Sequence, residues 1–324
     1  MLPNRRKFLQ ISAAGTVAAS ALGAYWLSTT KRGVGRLARM LVSDAERDVL
    51  PAPLKPDPNS WNDNAISIAW LGHSTTLINF FGVKILTDPA LAPRIGVSLG
   101  IGTIGLKRFV APALTAAELP KLDLVLLSHA HMDHMDLPTL RRCSRLGVVR
   151  AVSARATSDV LSGTGLSDLT ELRWGEKARC RFPAGELEIE AFEVKHWGRR
   201  WPSSQDRGYN GYVLRREGKA ILFGGDTART PLFSEIRSRG PFEAAILPIG
   251  AYRPWIWNHC TPEEAVGMAN LAGAGRIVPV HHQTFRLSDE PMEEPIQRFQ
   301  AALSGEKERI GLTRIGETFV CGNS

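Results

Sequence analysis

Cysteine is scarce and scattered. Cys143, Cys180, Cys260 and Cys321 are the only four in 324 residues, and no two form a CxxC pair. That excludes a zinc ribbon and a disulfide-stapled scaffold. No internal repeat and no low-complexity tract occurs. The charge excess is small, with 40 Lys and Arg against 32 Asp and Glu for a formal +8. With 44% hydrophobic and 22% charged residues, collagen, coiled-coil and wholly disordered architectures are excluded. A chain of this length buries a core without staples and makes one large domain or two small ones. Histidine is infrequent too, eight in all, and where those eight fall decides the functional reading.

At the N-terminus, Asn4-Arg5-Arg6-Lys7-Phe8-Leu9 precedes an uncharged stretch, residues 11–30, rich in Ala, Gly and Ser. A cationic start ahead of a weakly apolar run is a targeting signal rather than a core helix. The paired arginines followed by Lys-Phe-Leu resemble a twin-arginine signal, which implies export of the folded protein through the twin-arginine translocase to the periplasm. Ala19-Ser20-Ala21 and Leu22-Gly23-Ala24 offer two cleavage points, while residues 11–27 are long enough to stay as a membrane anchor. Without residues 1–30 and their three cations the formal charge is +5, too little to point to nucleic acid as a partner.

Residues 31–64 carry a basic cluster (Lys31, Arg32, Arg36, Arg39) and then Pro51, Pro53, Pro56 and Pro58. Prolines so spaced disfavour helix and strand pairing and predict a linker or a strap over the domain. Residues 65–324 read as one α/β domain. Runs at 66–70, 76–80 and 83–87 predict strands, with Gly82 in the last turn. The run 122–128 is almost wholly apolar, as for a strand covered on both faces. Further strands are expected at 187–194, 211–216, 220–223, 244–248 and 277–280. Helices are expected after Asp136 as N-cap with Pro138 in the first turn, after Thr261 in a Thr-x-x-Glu box, and over 295–303.

Directly after the buried strand comes Ser128-His129-Ala130-His131-Met132-Asp133-His134. Three imidazoles and a carboxylate so close would repel one another if protonated and be costly to bury unpaired; a divalent cation removes both problems. Nitrogen and oxygen donors without thiolate favour Zn²⁺, with Mn²⁺ or Fe²⁺ as alternatives.

This HxHxDH run resembles the signature of the metallo-β-lactamase superfamily, and the later motifs follow that superfamily's order. Asp88 in Leu-Thr-Asp-Pro, His196 in Val-Lys-His-Trp, Asp226 in Phe-Gly-Gly-Asp-Thr and His281 in Val-His-His-Gln-Thr-Phe match its remaining positions. The resemblance implies a four-layered αββα sandwich and two Zn²⁺ ions. One ion would take His129, His131, His196 and Asp226; the other would take Asp133, His134, His281 and again Asp226. Asp88 would steady the metal loop, His73 would buttress it, and His282 competes with His281 for the last ligand position. Ala69-Trp-Leu-Gly-His73-Ser-Thr75, Pro248-Ile-Gly-Ala-Tyr252 and His259-Cys-Thr-Pro-Glu-Glu-Ala265 resemble the N-acylphosphatidylethanolamine phospholipase D group, and more loosely the ascorbate-phosphate lactonases. A phospholipid or other phosphodiester substrate is therefore expected. Asp133 and Asp226 would act as catalytic carboxylates, and His259 would contact the phosphate or protonate the leaving group. True β-lactamases place a cysteine where Asp226 stands, so a β-lactam is disfavoured. The alternatives are a lactonase or phosphatase of a small phosphorylated metabolite and an inactive metal-binding member. Arg199, Arg200 and Arg207 would suit an anionic headgroup. The glycine-rich apolar run 95–106, with Trp197, Trp201, Trp255 and Trp257, would line an acyl slot or touch a membrane surface.

Overall fold

The computed structural model describes Asp44 and residues 47–98, 102–148, 150–201 and 205–321. The export signal expected at 1–30 and the basic cluster at 31–39 lie outside them. Among the described residues no helix is long and apolar enough to cross a membrane.

In chain order the strands begin with β1 (Ile66–Gly72), β2 (Thr75–Phe80), β3 (Val83–Thr87), β4 (Arg94–Ser98), β5 (Thr103–Lys107) and β6 (Leu124–Leu127). Helix α1 (Leu137–Arg145), β7 (Arg150–Ala154), the short α2 (Ser158–Leu161) and β8 (Asp168–Leu172) follow. The second half holds β9 (Lys177–Phe182), β10 (Gly185–Phe192), β11 (Gly211–Arg216), β12 (Lys219–Phe223) and β13 (Phe242–Pro248). It closes with α3 (Pro262–Ala272), β14 (Ala274–Val280), α4 (Glu294–Ala302) and β15 (Thr318–Cys321).

Among the described residues two large sheets form, with strand orders β15-β1-β2-β3-β6-β7-β8 and β14-β13-β12-β11-β10-β9, beside a two-stranded β4-β5 sheet. Side chains alternate across a strand, and that alternation builds the layers. Tyr212, Leu214, Ile221 and Phe223 point into the core shared by both sheets. Their neighbours Val213 and Leu222 point the other way, under Ala265, Met268, Ala269, Ile296 and Phe299 of α3 and α4. On the opposite side Leu140 and Cys143 of α1 join the shared core. Each large apolar side chain buried this way contributes about 1.5–3 kcal/mol. The result is the αββα sandwich.

The helix starts follow their sequence signals. Asp136 caps α1, accepting from Thr139 N–H at 3.1 Å. Thr261 and Glu264 form the reciprocal box that opens α3, with contacts of 3.3 and 3.0 Å. The proline run is extended over the domain: Leu50 N–H donates to the Phe109 carbonyl and Leu54 N–H to that of Ile315, and Pro56 and Pro58 are buried. Within the glycine-rich run 95–106, residues 95–98 and 103–106 belong to the paired strands β4 and β5, in which Gly96 and Gly105 stand directly opposite. A Cβ on either would come within 2.2 or 1.9 Å of a carbonyl oxygen across the pair, so the two strands close only with glycine there. Ile95 and Leu106 pack on Ala90 and Phe285. Elements β4, β5, β7, α2, β8, β9 and β15 were not expected from the sequence.

What the fold does for function is to gather strand ends. β3 and β6 are parallel, and β12, β13 and β14 are parallel. β1 runs with β3 through the intervening antiparallel β2, and β10 runs with β12 through β11. Loops leaving the C-terminal ends of these seven strands therefore share one rim of the sandwich.

Candidate metal centre

Every histidine of the chain lies on that rim, in segments 129–134, 196, 259 and 281–282 and at the β1–β2 turn (His73). All are buried, at 8% relative exposure or less. The 129–134 loop is held from both sides. Arg200 donates to the Ala130 and Met135 carbonyls at 2.7 and 3.0 Å. Asp88, fully buried just beyond β3, accepts from Ser128 N–H at 2.7 Å, Ser128 Oγ at 2.5 Å and His134 Nδ1 at 2.7 Å. Since the Ser128 hydroxyl proton goes to Asp88, its oxygen accepts from His129 Nδ1 at 2.8 Å. His196 Nδ1 donates to the Asn258 carbonyl at 2.9 Å. These bonds place the Nδ1 protons and leave the Nε2 lone pairs of His129, His134 and His196 facing the centre.

The inward atoms fall into two groups joined by one carboxylate. His129 Nε2 and His196 Nε2 lie 2.8 and 3.3 Å from His131 Nδ1. Asp133 Oδ2 lies 3.5 Å from both His134 Nε2 and His281 Nε2. Asp226 Oδ2 reaches both groups, at 3.1 Å from His134 Nε2, 3.2 Å from His281 Nε2 and 3.8 Å from His196 Nε2. The loops carrying His196 and Asp226 are tied through Lys195, whose N–H meets Thr227 Oγ1 at 3.1 Å and whose carbonyl meets Ala228 N–H at 2.8 Å.

The buried atoms His131 Nε2, His134 Nε2, Asp226 Oδ1, His259 Nδ1 and both ring nitrogens of His281 make no hydrogen bond. Leaving each unpaired costs about 1–3 kcal/mol. Of these, His134 Nε2 and His281 Nε2 both face Asp226 Oδ2, at 3.1 and 3.2 Å, and a hard or borderline cation fits that nitrogen and oxygen donor set.

Charge in the centre is divided by position. Burial holds His131 at about 4 and His259 at about 3, and keeps His129 and His196 well below the usual histidine range. Burial acts against protonation of His281 as well, but Asp226 and Asp133 lift it to about 9. His134 is raised against burial by Asp226, Asp133 and Asp88. Burial alone would raise Asp133 and Asp226; the neighbouring imidazoles, His134 foremost, hold both well below the carboxylate range. Bound cations would take the place of the protons on His134 and His281.

The structure thus brings together His129, His131, Asp133, His134, His196, Asp226 and His281, and adds His259 with Nδ1 3.8 Å from Asp226 Oδ2. His282 points away, stacked on Trp70 at 4.4 Å. Two sequence expectations are corrected. Arg200 is buried behind the metal loop, and Arg207 is engaged by Asp159 and the Ala156 carbonyl, so neither is free for a headgroup. Backbone carbonyls and a distant aspartate took the charges that a loop reading left to solvent. Arg199 remains exposed. Trp197 packs 4.6 Å from His131 and 4.3 Å from His196, whereas Trp257 is 75% exposed. His73, expected to buttress the metal loop, has its ring beside that loop, with Nε2 2.9 Å from Asp133 Oδ2.

The fold and donor set define a metal-dependent hydrolase of the metallo-β-lactamase class. Residues 84–282 match the beta-lactamase superfamily domain, and the chain belongs to that family. It is 33% identical over 285 residues to an uncharacterized protein of Mycobacterium tuberculosis, covering 84% of this chain and 74% of that one. It is 30% identical over 236 residues to N-acyl-phosphatidylethanolamine-hydrolyzing phospholipase D 1 of Caenorhabditis elegans, covering 69% of this chain and 65% of that one. It is 29% identical over 230 residues to a metal-dependent hydrolase of Thermus thermophilus, covering 68% and 85%. Igni18, a metallo hydrolase of Ignicoccus hospitalis, shares the fold with a TM-score of 0.59 at 22% identity, over 80% of this chain and 100% of that one.

Proposed function

We propose that this protein is an exported dizinc phosphodiesterase that hydrolyses an N-acylated phospholipid at its headgroup diester. The observation that carries the reading is Asp226, a single carboxylate within 3.8 Å of histidines from both groups. Two cations held close together would need an anion between them, and the reach of Asp226 to both groups supports that role for it. His129, His131 and His196 would hold one ion with it, and Asp133, His134 and His281 the other; Mn²⁺ or Fe²⁺ could replace Zn²⁺. Such a pair, when bound, supplies Lewis acidity toward phosphoryl oxygens and lowers the pKa of bound water to about 7.

The chain's own residues supply the rest. Asp133 and Asp226 orient the reacting groups, and one or the other accepts the single proton released by the attacking water. His259, beside Asp226 and neutral, donates a hydrogen bond to a phosphoryl oxygen. Trp197 walls the centre on the His131 side, and the exposed Trp257 meets the lipid surface that presents the substrate. The likeness to the nematode phospholipase D supports the diester reading, and the paired arginines at 5 and 6 support export.

Acyl-chain length is the test. Each methylene buried in the transition state is worth up to about 0.8 kcal/mol, so kcat/KM should rise by up to about fourfold per methylene until the slot is filled. Short- and long-chain N-acyl phosphatidylethanolamines are compared at matched dispersion, beside a sugar lactone and a β-lactam. A flat response, or faster turnover of the lactone, moves the substrate to a small metabolite. No turnover of any of these substrates or of bis(p-nitrophenyl) phosphate by the metal-loaded protein refutes an active hydrolase.

A further inference from the structure

We propose that His73 is a positioning residue, which fixes the Asp133 carboxylate by donating Nε2–H to Oδ2 and is not itself a metal ligand. The inference rests on the metal-pair reading above and adds a residue to the machinery outside its ligand set. His73 Nε2 stands 2.9 Å from Asp133 Oδ2, closer than either His134 or His281, both at 3.5 Å. An ionised carboxylate only accepts, so the contact is a hydrogen bond only if Nε2 carries the ring proton. The opposite tautomer would set two lone pairs against each other and bury an unpaired N–H, since Nδ1 has no partner. With its Nε2 lone pair absent, His73 lies within reach of the same centre but acts on the ligand rather than the ion.

Asp133 needs such a partner. Its side chain is 15% exposed, against 0% for His134 and His281 and 2% for Asp226, so of these four it has the freest path to turn toward water. His73 is built to hold it. Its N–H donates to Thr284 Oγ1 at 2.7 Å, and its carbonyl accepts from Trp70 Nε1 at 2.7 Å and from His281 N–H at 3.0 Å. The ring sits 4.2 Å from that of His281 and edge-on to Phe285 at 5.2 Å. The backbone is left-handed, φ +51°, a conformation that costs roughly 1–2 kcal/mol for a residue with a Cβ. Three backbone bonds and near-complete burial over-determine that conformation, which aims the imidazole at one carboxylate oxygen. With Oδ2 tied, the lone pairs that face the ions are set before any ion arrives.

Two arms test this. In the first, apo protein is titrated with Zn²⁺ against a chromophoric chelator for wild type, His73→Met and His73→Gln. Met keeps the length and removes the donor, while Gln restores an N–H near the Nε2 position. The expected result is one ion at wild-type affinity and one bound 10–100-fold more weakly in His73→Met, with most of that loss recovered in His73→Gln. Unchanged binding of both ions, equal loss of both, or a Gln variant as weak as Met overturns the proposal. The second arm needs no metal: the ¹⁵N spectrum of the apo protein should show His73 as the Nε2–H tautomer, its shift changing in Asp133→Asn. An Nδ1–H tautomer overturns the proposal. Wild-type protein that binds fewer than two ions refutes the metal-pair reading instead, and leaves the tautomer arm to decide the His73–Asp133 bond.

Discussion

Asp88→Asn changes one atom and should disable both halves of the metal centre. Asp88 Oδ1 accepts from Ser128 N–H at 2.7 Å, while Oδ2 accepts from Ser128 Oγ at 2.5 Å and His134 Nδ1 at 2.7 Å. The backbone N–H cannot change its role, so the amide oxygen must take the Oδ1 position and the amide nitrogen must take that of Oδ2. An NH₂ group there donates, which forces His134 Nδ1 to accept and moves the ring proton to Nε2, where the metal lone pair is required. The same NH₂ turns the Ser128 hydroxyl round, so that it donates to His129 Nδ1, 2.8 Å away, and shifts that proton inward too. One ligand is thus spoiled in each half. Flipping the amide avoids this but sets NH₂ against the Ser128 N–H, at a cost of about 1–3 kcal/mol. The first route should lower metal affinity about 10–100-fold at both sites, whereas the flip should lower stability and leave the tautomers as in wild type. Competition with a chelator gives the affinities, circular dichroism checks the fold, and ¹⁵N shifts of His129 and His134 report the tautomers. Wild-type affinity for both ions together with wild-type stability in Asp88→Asn would refute the relay.

Three further outcomes are expected. Asp226→Ala should lose both ions by metal analysis and His282→Ala neither; two ions retained in the first, or one lost from the second, would reject the ligand assignment. Metal-free protein should lose stability below about pH 6.5, where unfolded chains gain protons on histidines that folded His131 refuses until about 4 and His73, His259 and His282 until about 3. His281, lifted to about 9, is already protonated there and does not offset the loss; a urea midpoint constant between pH 7 and 5 would contradict this. Replacing Arg5 and Arg6 with lysine should block export without altering the purified enzyme, and normal periplasmic delivery of the variant would show the arginine pair to be incidental.

Where one strong local signal governs an element, the sequence is legible. Strand β11 at 211–216 and β3 at 83–87 appear at their expected limits, because alternation and flanking turns leave no competing choice. Asp136 and Thr261 start their helices because a side-chain oxygen must satisfy a free N–H. Strand β9, Lys-Ala-Arg-Cys-Arg-Phe, is mostly polar and lies at a sheet edge, so it has no hydrophobic period to betray it. The β4–β5 pair hid for the opposite reason, since its paired glycines read as breakers. At the site, residue type and spacing point to the donors, but not to contacts made across the chain. Nothing near Arg200 in sequence suggests that it spans the Ala130 and Met135 carbonyls. His73 and Asp133 lie 60 positions apart, and only the closed sandwich puts them in contact.

The donors also come from different halves of the molecule. His129, His131, Asp133 and His134 hang from β6 in one sheet, whereas His196, Asp226 and His281 follow β10, β12 and β14 in the other. On the proposed reading, an ion held at either position would be a rivet through the seam of the sandwich. The sheets would be tied while it stayed bound, so the unfolding rate of the loaded protein would be limited by the rate at which ions leave. Its lifetime under heat or protease would then become a function of chelator concentration, and loading would set how long the molecule lasts as well as what it can hydrolyse.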